Sequence, residues 1–71
     1  MNAPDLSAYP HLEYKPSNPT GSVLCASNGT PAITVACYVG AGPIEWAADS
    51  FKVTLDEAFE AFKYCKANNL I

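Results

Sequence analysis

The stretch GPIEWAADSFKVTLDEAFEAFKY, Gly42 to Tyr64, decides the fold, because it reads as two helices joined by a turn of three or four residues. Its second half carries the clearest start signal in the chain. Thr54 is followed three residues later by Glu57, the spacing of a capping box, in which the threonine hydroxyl accepts from the backbone N–H of the glutamate and the glutamate carboxylate accepts from that of the threonine. Asp56 and Glu57 sit where the helix dipole favours anions, and Lys63 and Lys66 lie toward the end that favours cations. A helix is therefore expected from Thr54 or Leu55 to the neighbourhood of Asn68 and Asn69, residues that leave a helix easily.

The first half begins at Pro43, which suits the first helical position because its missing N–H would go unpaired there in any case. Ile44, Ala47, Ala48 and Phe51 repeat at helical spacing and form an apolar stripe. Two such helices at a tight turn, with the small Ala48 at their crossing, make a helix-turn-helix.

Upstream, Thr34 is expected to cap a first helix over Val35 to Ala41, ended by Gly40 and Gly42, with Val35, Tyr38 and Val39 facing the other two helices. Two short strands precede it. Leu12 and Tyr14 alternate with polar residues, and Val23 to Cys25 is a β-favouring run bounded by Gly21 and by Ser27, Asn28 and Gly29. KPSNPTGS, residues 15–22, reads as turn. Asn28 and Gly29 form the strongest hairpin dipeptide, although Pro31 limits what can pair after it. A lone hairpin is marginal in water, so the strands must lie on the helices or pair with those of a second copy. Met1 to Pro10 has no periodicity and reads as a mobile arm. The expected organisation is a flexible N-terminal arm over 1–13 and a helix-turn-helix domain over 14–71. Its class is mostly α: three helices, winged or homeodomain-like, with a short N-terminal β arm or hairpin.

With 71 residues, 49 % hydrophobic and 15 % charged, the chain carries more apolar surface than so small a body hides, since surface-to-volume scaling works against small folds. A homodimer or a tight heterocomplex is the simplest remedy. The formal charge is −3, from four lysines, no arginine and seven acids, so the electrostatic footprint of an independent nucleic-acid binder is missing. No apolar run is long enough to span a bilayer, and MNAPDLSAYP lacks a basic start followed by an apolar block, so a cytoplasmic protein without membrane attachment is expected. Cys25, Cys37 and Cys65 are odd in number and form no CxxC pair, so they are read as reduced packing residues, with no metal and no cofactor.

The pattern of Gly21, Val23, Gly29, Thr30, Ile33, Val35, Ala41 and Gly42, followed by Ile44, Glu45, Ala48, Phe51, Val53, Thr54, Glu57, Ala61 and Tyr64, resembles the small bacterial antitoxin-like proteins catalogued as domain of unknown function 433. The resemblance covers about Tyr14 to Tyr64. It implies a winged helix-turn-helix, commonly dimeric, acting as antitoxin to a PIN-like ribonuclease toxin and carrying no catalytic residues. Two departures stand out. Pro31 follows Gly29 and Thr30 where that family has arginine, and Trp46 and Phe59 occupy positions that are generally polar in it.

Trp46 and Phe59 fall on helix faces that should see solvent. Either the chain's own core or arm covers them, or they form an interface, since exposed aromatics on a small domain mark partner contact. The expected protein interface comprises Trp46, Phe59, Tyr38, Leu12 and Tyr14. For DNA, the second helix of the motif would offer Thr54, Leu55, Asp56, Glu57 and Glu60 to base edges, with Lys52 and Lys63 on phosphate. Glu45 to Lys66 holds five acids against three lysines, which disfavours that use. Catalysis is not expected: a nucleophile needs an adjacent base, the only histidine, His11, is on a segment bounded by prolines, and Asp56, Glu57 and Glu60 read as a solvated helix face. The function expected is a homodimeric, antitoxin-like interaction module whose partner is a nuclease toxin. The alternative is a helix-turn-helix transcriptional autorepressor.

Overall fold

The computed structural model describes residues 5–14 and 23–71. In chain order it holds β1 (Leu12–Tyr14), β2 (Val23–Cys25), α1 (Ala32–Ala41), α2 (Ile44–Phe51) and α3 (Leu55–Ala67). The expected class is the observed one, three helices with a two-stranded antiparallel sheet before them. The turn expected over residues 15–22 lies outside the described residues.

The two strands pair in the register Leu12 with Cys25, Glu13 with Leu24 and Tyr14 with Val23. Period-two alternation sends Leu12, Val23 and Cys25 into the core. The sheet therefore lies on the helices of its own chain. Beyond β2 the chain turns through Asn28 and Gly29, but among the described residues only one further bridge forms, Leu24 with Pro31. Gly29 has φ +75°, the left-handed conformation a glycine adopts without a Cβ clash.

Prolines start both short helices. α1 begins at Ala32, before the expected Val35, because the carbonyl of Pro31 accepts from the N–H groups of Thr34 and Val35 at 3.1 and 3.3 Å. Thr34 is thus inside the helix rather than at its cap. Pro43 does the same for α2, accepting from Trp46 and Ala47, and stands one residue outside the helix it was expected to open. Gly40 lies within α1, which ends at Ala41.

The ends of α2 and α3 share one device. Lys52 and Asn69 have φ of 58° and 57°, and the next residue's N–H reaches back over the last turn, Val53 to the Ala48 carbonyl and Leu70 to that of Cys65. These 6→1 bonds satisfy carbonyls that a helix end would leave unpaired. At the start of α3 both halves of the Thr54–Glu57 capping box are present.

The core is made of small side chains. Six of the thirteen buried apolar residues described are alanines, Ala32, Ala36, Ala47, Ala48, Ala58 and Ala61, and the others include Cys25, Val35, Val53 and Cys65. Alanine lets helices approach closely while removing little apolar area from water. The boundary expected between residues 13 and 14 falls inside β1, and Leu6, Tyr9 and Leu12 pack on the core. Met1 to Pro4 lies outside the described residues.

Candidate interaction surface

A polar clasp sets the geometry of the two C-terminal helices. Ser27 donates to both carboxylate oxygens of Glu57, its backbone N–H at 2.8 Å and its hydroxyl at 2.7 Å, while the Thr54 N–H donates at 2.9 Å. Glu57 is only 2 % exposed. Desolvation alone raises a carboxyl's pKa, but the donors on Thr54 and Ser27 outweigh it and hold Glu57 below the ordinary value. One residue along the loop, the Asn28 amide donates to the carbonyls of Phe51 at 2.8 Å and Lys52 at 3.2 Å. Its carbonyl oxygen accepts from the N–H and hydroxyl of Thr30. The loop after β2 thus grips both sides of the α2–α3 turn.

A second clasp fastens the N-terminal segment to α3. The His11 N–H donates to Glu60 at 2.8 Å, and its Nδ1 pairs with the other oxygen of that carboxylate. The hydrogen bond to Glu60 raises the His11 pKa above its usual value, since it favours the charged imidazolium. Beside it, the Tyr9 and Tyr64 rings meet edge to face, centroids 5.4 Å apart.

Outside the clasps lies apolar surface. The ring of Tyr38 on α1 stacks on Trp46 at 4.7 Å and meets Phe51 edge-on at 4.6 Å. Trp46 lies over Gly42, where a Cβ would come within 2.9 Å of the indole. Trp46 nevertheless remains 47 % exposed. On α3, Leu55 and Phe59 are 52 % and 53 % exposed, with Phe62 half-buried beside them. The ammonium groups of Lys63 and Lys66 sit 5.3 and 5.9 Å from the ring centroids of Phe59 and Phe62, within cation–π reach.

Of the interface residues expected from sequence, Tyr38, Trp46 and Phe59 are on the surface. Trp46 and Phe59 make no ring contact with each other among the described residues. Leu12 is not available: it is 5 % exposed, because its place in β1 points it into the core opposite Cys25. Tyr14 is half-buried against the same core. The solvated acidic face expected on α3 is also corrected. Glu57 is buried in its clasp and Glu60 is held by His11, leaving Asp56 exposed. Of the residues expected to meet DNA, Lys52 is exposed at the left-handed end of α2, Thr54 uses its hydroxyl oxygen as the cap of α3, and Lys63 lies over Phe59.

The three cysteines are free. Cys25 and Cys65 are fully buried and Cys37 is exposed, and burial pushes the Cys25 thiol up to about 12, far from a reactive thiolate. No cluster of three or more His, Cys, Asp or Glu side chains able to hold a metal ion exists among the described residues. No described helix is long and apolar enough to cross a membrane. The clasp roles of Ser27 and Asn28 are not legible in the sequence, and Leu55, read there only as a side chain offered to base edges, belongs to the exposed apolar surface. Only Leu55 had a local signal, its spacing of four from Phe59.

Comparison with protein-family models, with curated proteins and with solved structures returns no match for this chain.

Proposed function

We propose that this protein is a small interaction module that works as a homodimer and binds a partner protein. The observation that carries this reading is an inverted distribution of apolar side chains. Alanines, cysteines and valines fill much of the core, while Trp46, Leu55 and Phe59 stand about half exposed on the surface. Large apolar groups gain most from leaving water, and aromatic ones dominate the energetics of interfaces. A fold that buries small residues and displays large ones holds its strongest association energy outside itself.

The partner class comes from the resemblance of Gly29, Thr30, Glu45, Ala48, Thr54 and Glu57 to the pattern of small antitoxin-like proteins: a PIN-like nuclease toxin, held by the exposed Trp46 and Tyr38. Co-purification tests it. Tagged wild-type protein from its native cell should retain a nuclease identifiable by mass spectrometry, and the Trp46→Ala, Phe59→Ala variant should not. Equal recovery by both, or no nuclease with either, contradicts the reading.

Autorepression through DNA is the second reading, favoured by exposed Lys52 at the turn before α3. It is the weaker one. Thr54 and Glu57, at the end of α3 a reader presents to base edges, commit polar atoms to the cap and to Ser27. Binding to duplex DNA that survives physiological salt would favour it, since so few phosphate contacts are lost as salt rises.

A further inference from the structure

We infer that α3 is the self-association element and that two copies of this chain pair through it in antiparallel orientation. The inference rests on the homodimer reading and assigns it a face and a direction.

Leu55, Phe59, Phe62 and Lys66 follow one another at intervals of four, three and four residues. That alternation keeps a narrow seam of one helix turned toward a neighbouring helix. The opposite side of α3, made by Glu57, Ala58, Ala61, Tyr64 and Cys65, is already committed to the chain's own core. The seam is therefore the outward face of α3, with Phe62 at its edge also packed in part against the chain's own core. It is apolar for three of its four positions, and the fourth, Lys66, rests its ammonium near the Phe62 ring.

Charge selects the occupant and its direction. On the exposed side of α3 the acid Asp56 stands in the first turn, and Lys63 and Lys66 stand near the end. A parallel neighbour of the same sequence sets lysine beside lysine and aligns the helix dipoles. An antiparallel one reverses both terms. With a two-fold axis between Phe59 and Phe62, Phe59 meets Phe62 of the second copy, and Leu55 meets the aliphatic stem of Lys66 of the second copy. Asp56 then falls opposite Lys63 of the second copy, and the symmetry makes that pair twice. A seam complementary to itself on reversal is what a two-fold interface requires, each patch facing its own image. This arrangement covers the face of α3 that would enter a DNA groove and leaves the Tyr38–Trp46 stack for a different protein.

The test uses two charge reversals of the full chain, Asp56→Lys and Lys63→Asp, measured by sedimentation equilibrium. Each alone should put like charges opposite one another twice and raise the dimer dissociation constant about tenfold or more. Mixed one to one, the two variants should form a heterodimer of near wild-type affinity, because every unlike pair is then restored. Recovery in the mixture also shows that both variants fold, which matters for Asp56, a residue within the field of His11. Phe59→Ala, which empties the seam without moving a charge, should also weaken the dimer. A wild-type dimer indifferent to both reversals and to mixing overturns the α3 pairing while leaving the homodimer reading intact. A wild type that stays monomeric at every concentration overturns both.

Discussion

Ser27 and Glu57, thirty residues apart in sequence, meet through two hydrogen bonds of 2.7 and 2.8 Å to one buried carboxylate. The same carboxylate closes the capping box on Thr54, so one side chain fixes where α3 starts and where the loop after β2 lies against it. Its removal leaves three donors unanswered at once, the Ser27 N–H and hydroxyl and the Thr54 N–H.

Glu57→Ala should therefore cost about 2–4 kcal/mol, above the roughly 1 kcal/mol of an ordinary helix cap, because hydrogen bonds to a charged group are lost together with the cap. Ser27→Ala, which keeps the capping box, should cost about 1–2 kcal/mol. Urea unfolding followed by circular dichroism measures both. Equal losses would mean that the Ser27 hydroxyl contributes everything, and the cap and the Ser27 N–H nothing.

Stability should depend on pH at both ends. His11 has its pKa raised above 6.5 by Glu60, so the stabilisation from this pair is fully present below 6.5 and disappears as pH rises through the higher folded value. Glu57 has its pKa lowered from 4.5, so its contribution is present above 4.5 and is lost as pH falls through the lower folded value. His11→Ala should flatten the alkaline decline and leave the acid one; Glu57→Gln should do the reverse. Urea midpoints across a pH series check the assignment.

The two glycines at the end of α1 should respond oppositely. A Cβ on Gly40 meets only the Phe62 ring, at 3.8 Å, so Gly40→Ala should stabilise by about 0.5–1 kcal/mol through helix propensity. A Cβ on Gly42 comes within 2.9 Å of the Trp46 indole, so Gly42→Ala should push that ring off Tyr38. Thermal melts report the first effect, and the fluorescence of the single tryptophan reports the second.

Lys52 holds a left-handed conformation with φ 58° and ψ 40° that disfavours any residue with a Cβ. Lys52→Gly should stabilise by about 0.5–1 kcal/mol, while Asn28→Ala, which frees the Phe51 and Lys52 carbonyls, should destabilise by about 1 kcal/mol. Chemical denaturation of the two single variants and of the double variant shows whether the turn and the loop act together.

Much of the fold was legible because it is written locally. Thr54 and Glu57 announce α3, Asn68 and Asn69 its end, and Leu12, Tyr14 and Val23 to Cys25 the strands. The start of α1 was misread because a threonine hydroxyl is a familiar cap, whereas Pro31 opens the helix with its backbone carbonyl alone. The exposure of Trp46 and Phe59 followed from their positions on the helices. The burial of Glu57 did not. A carboxylate three residues into a helix looks solvated until the loop carrying Ser27 is folded onto it, and that contact is invisible to any short window of sequence. Leu12 misleads for the same reason, since a short strand does not say which of its faces the helices will cover.

The most direct test of the account is the mass in solution, by light scattering, of the wild type and of the Trp46→Ala, Phe59→Ala double variant at equal concentrations. The wild type should be a dimer and the double variant a monomer, with unchanged helix content. A wild type that remains monomeric, or a double variant that remains dimeric, would contradict the claim that the exposed aromatic side chains exist for association.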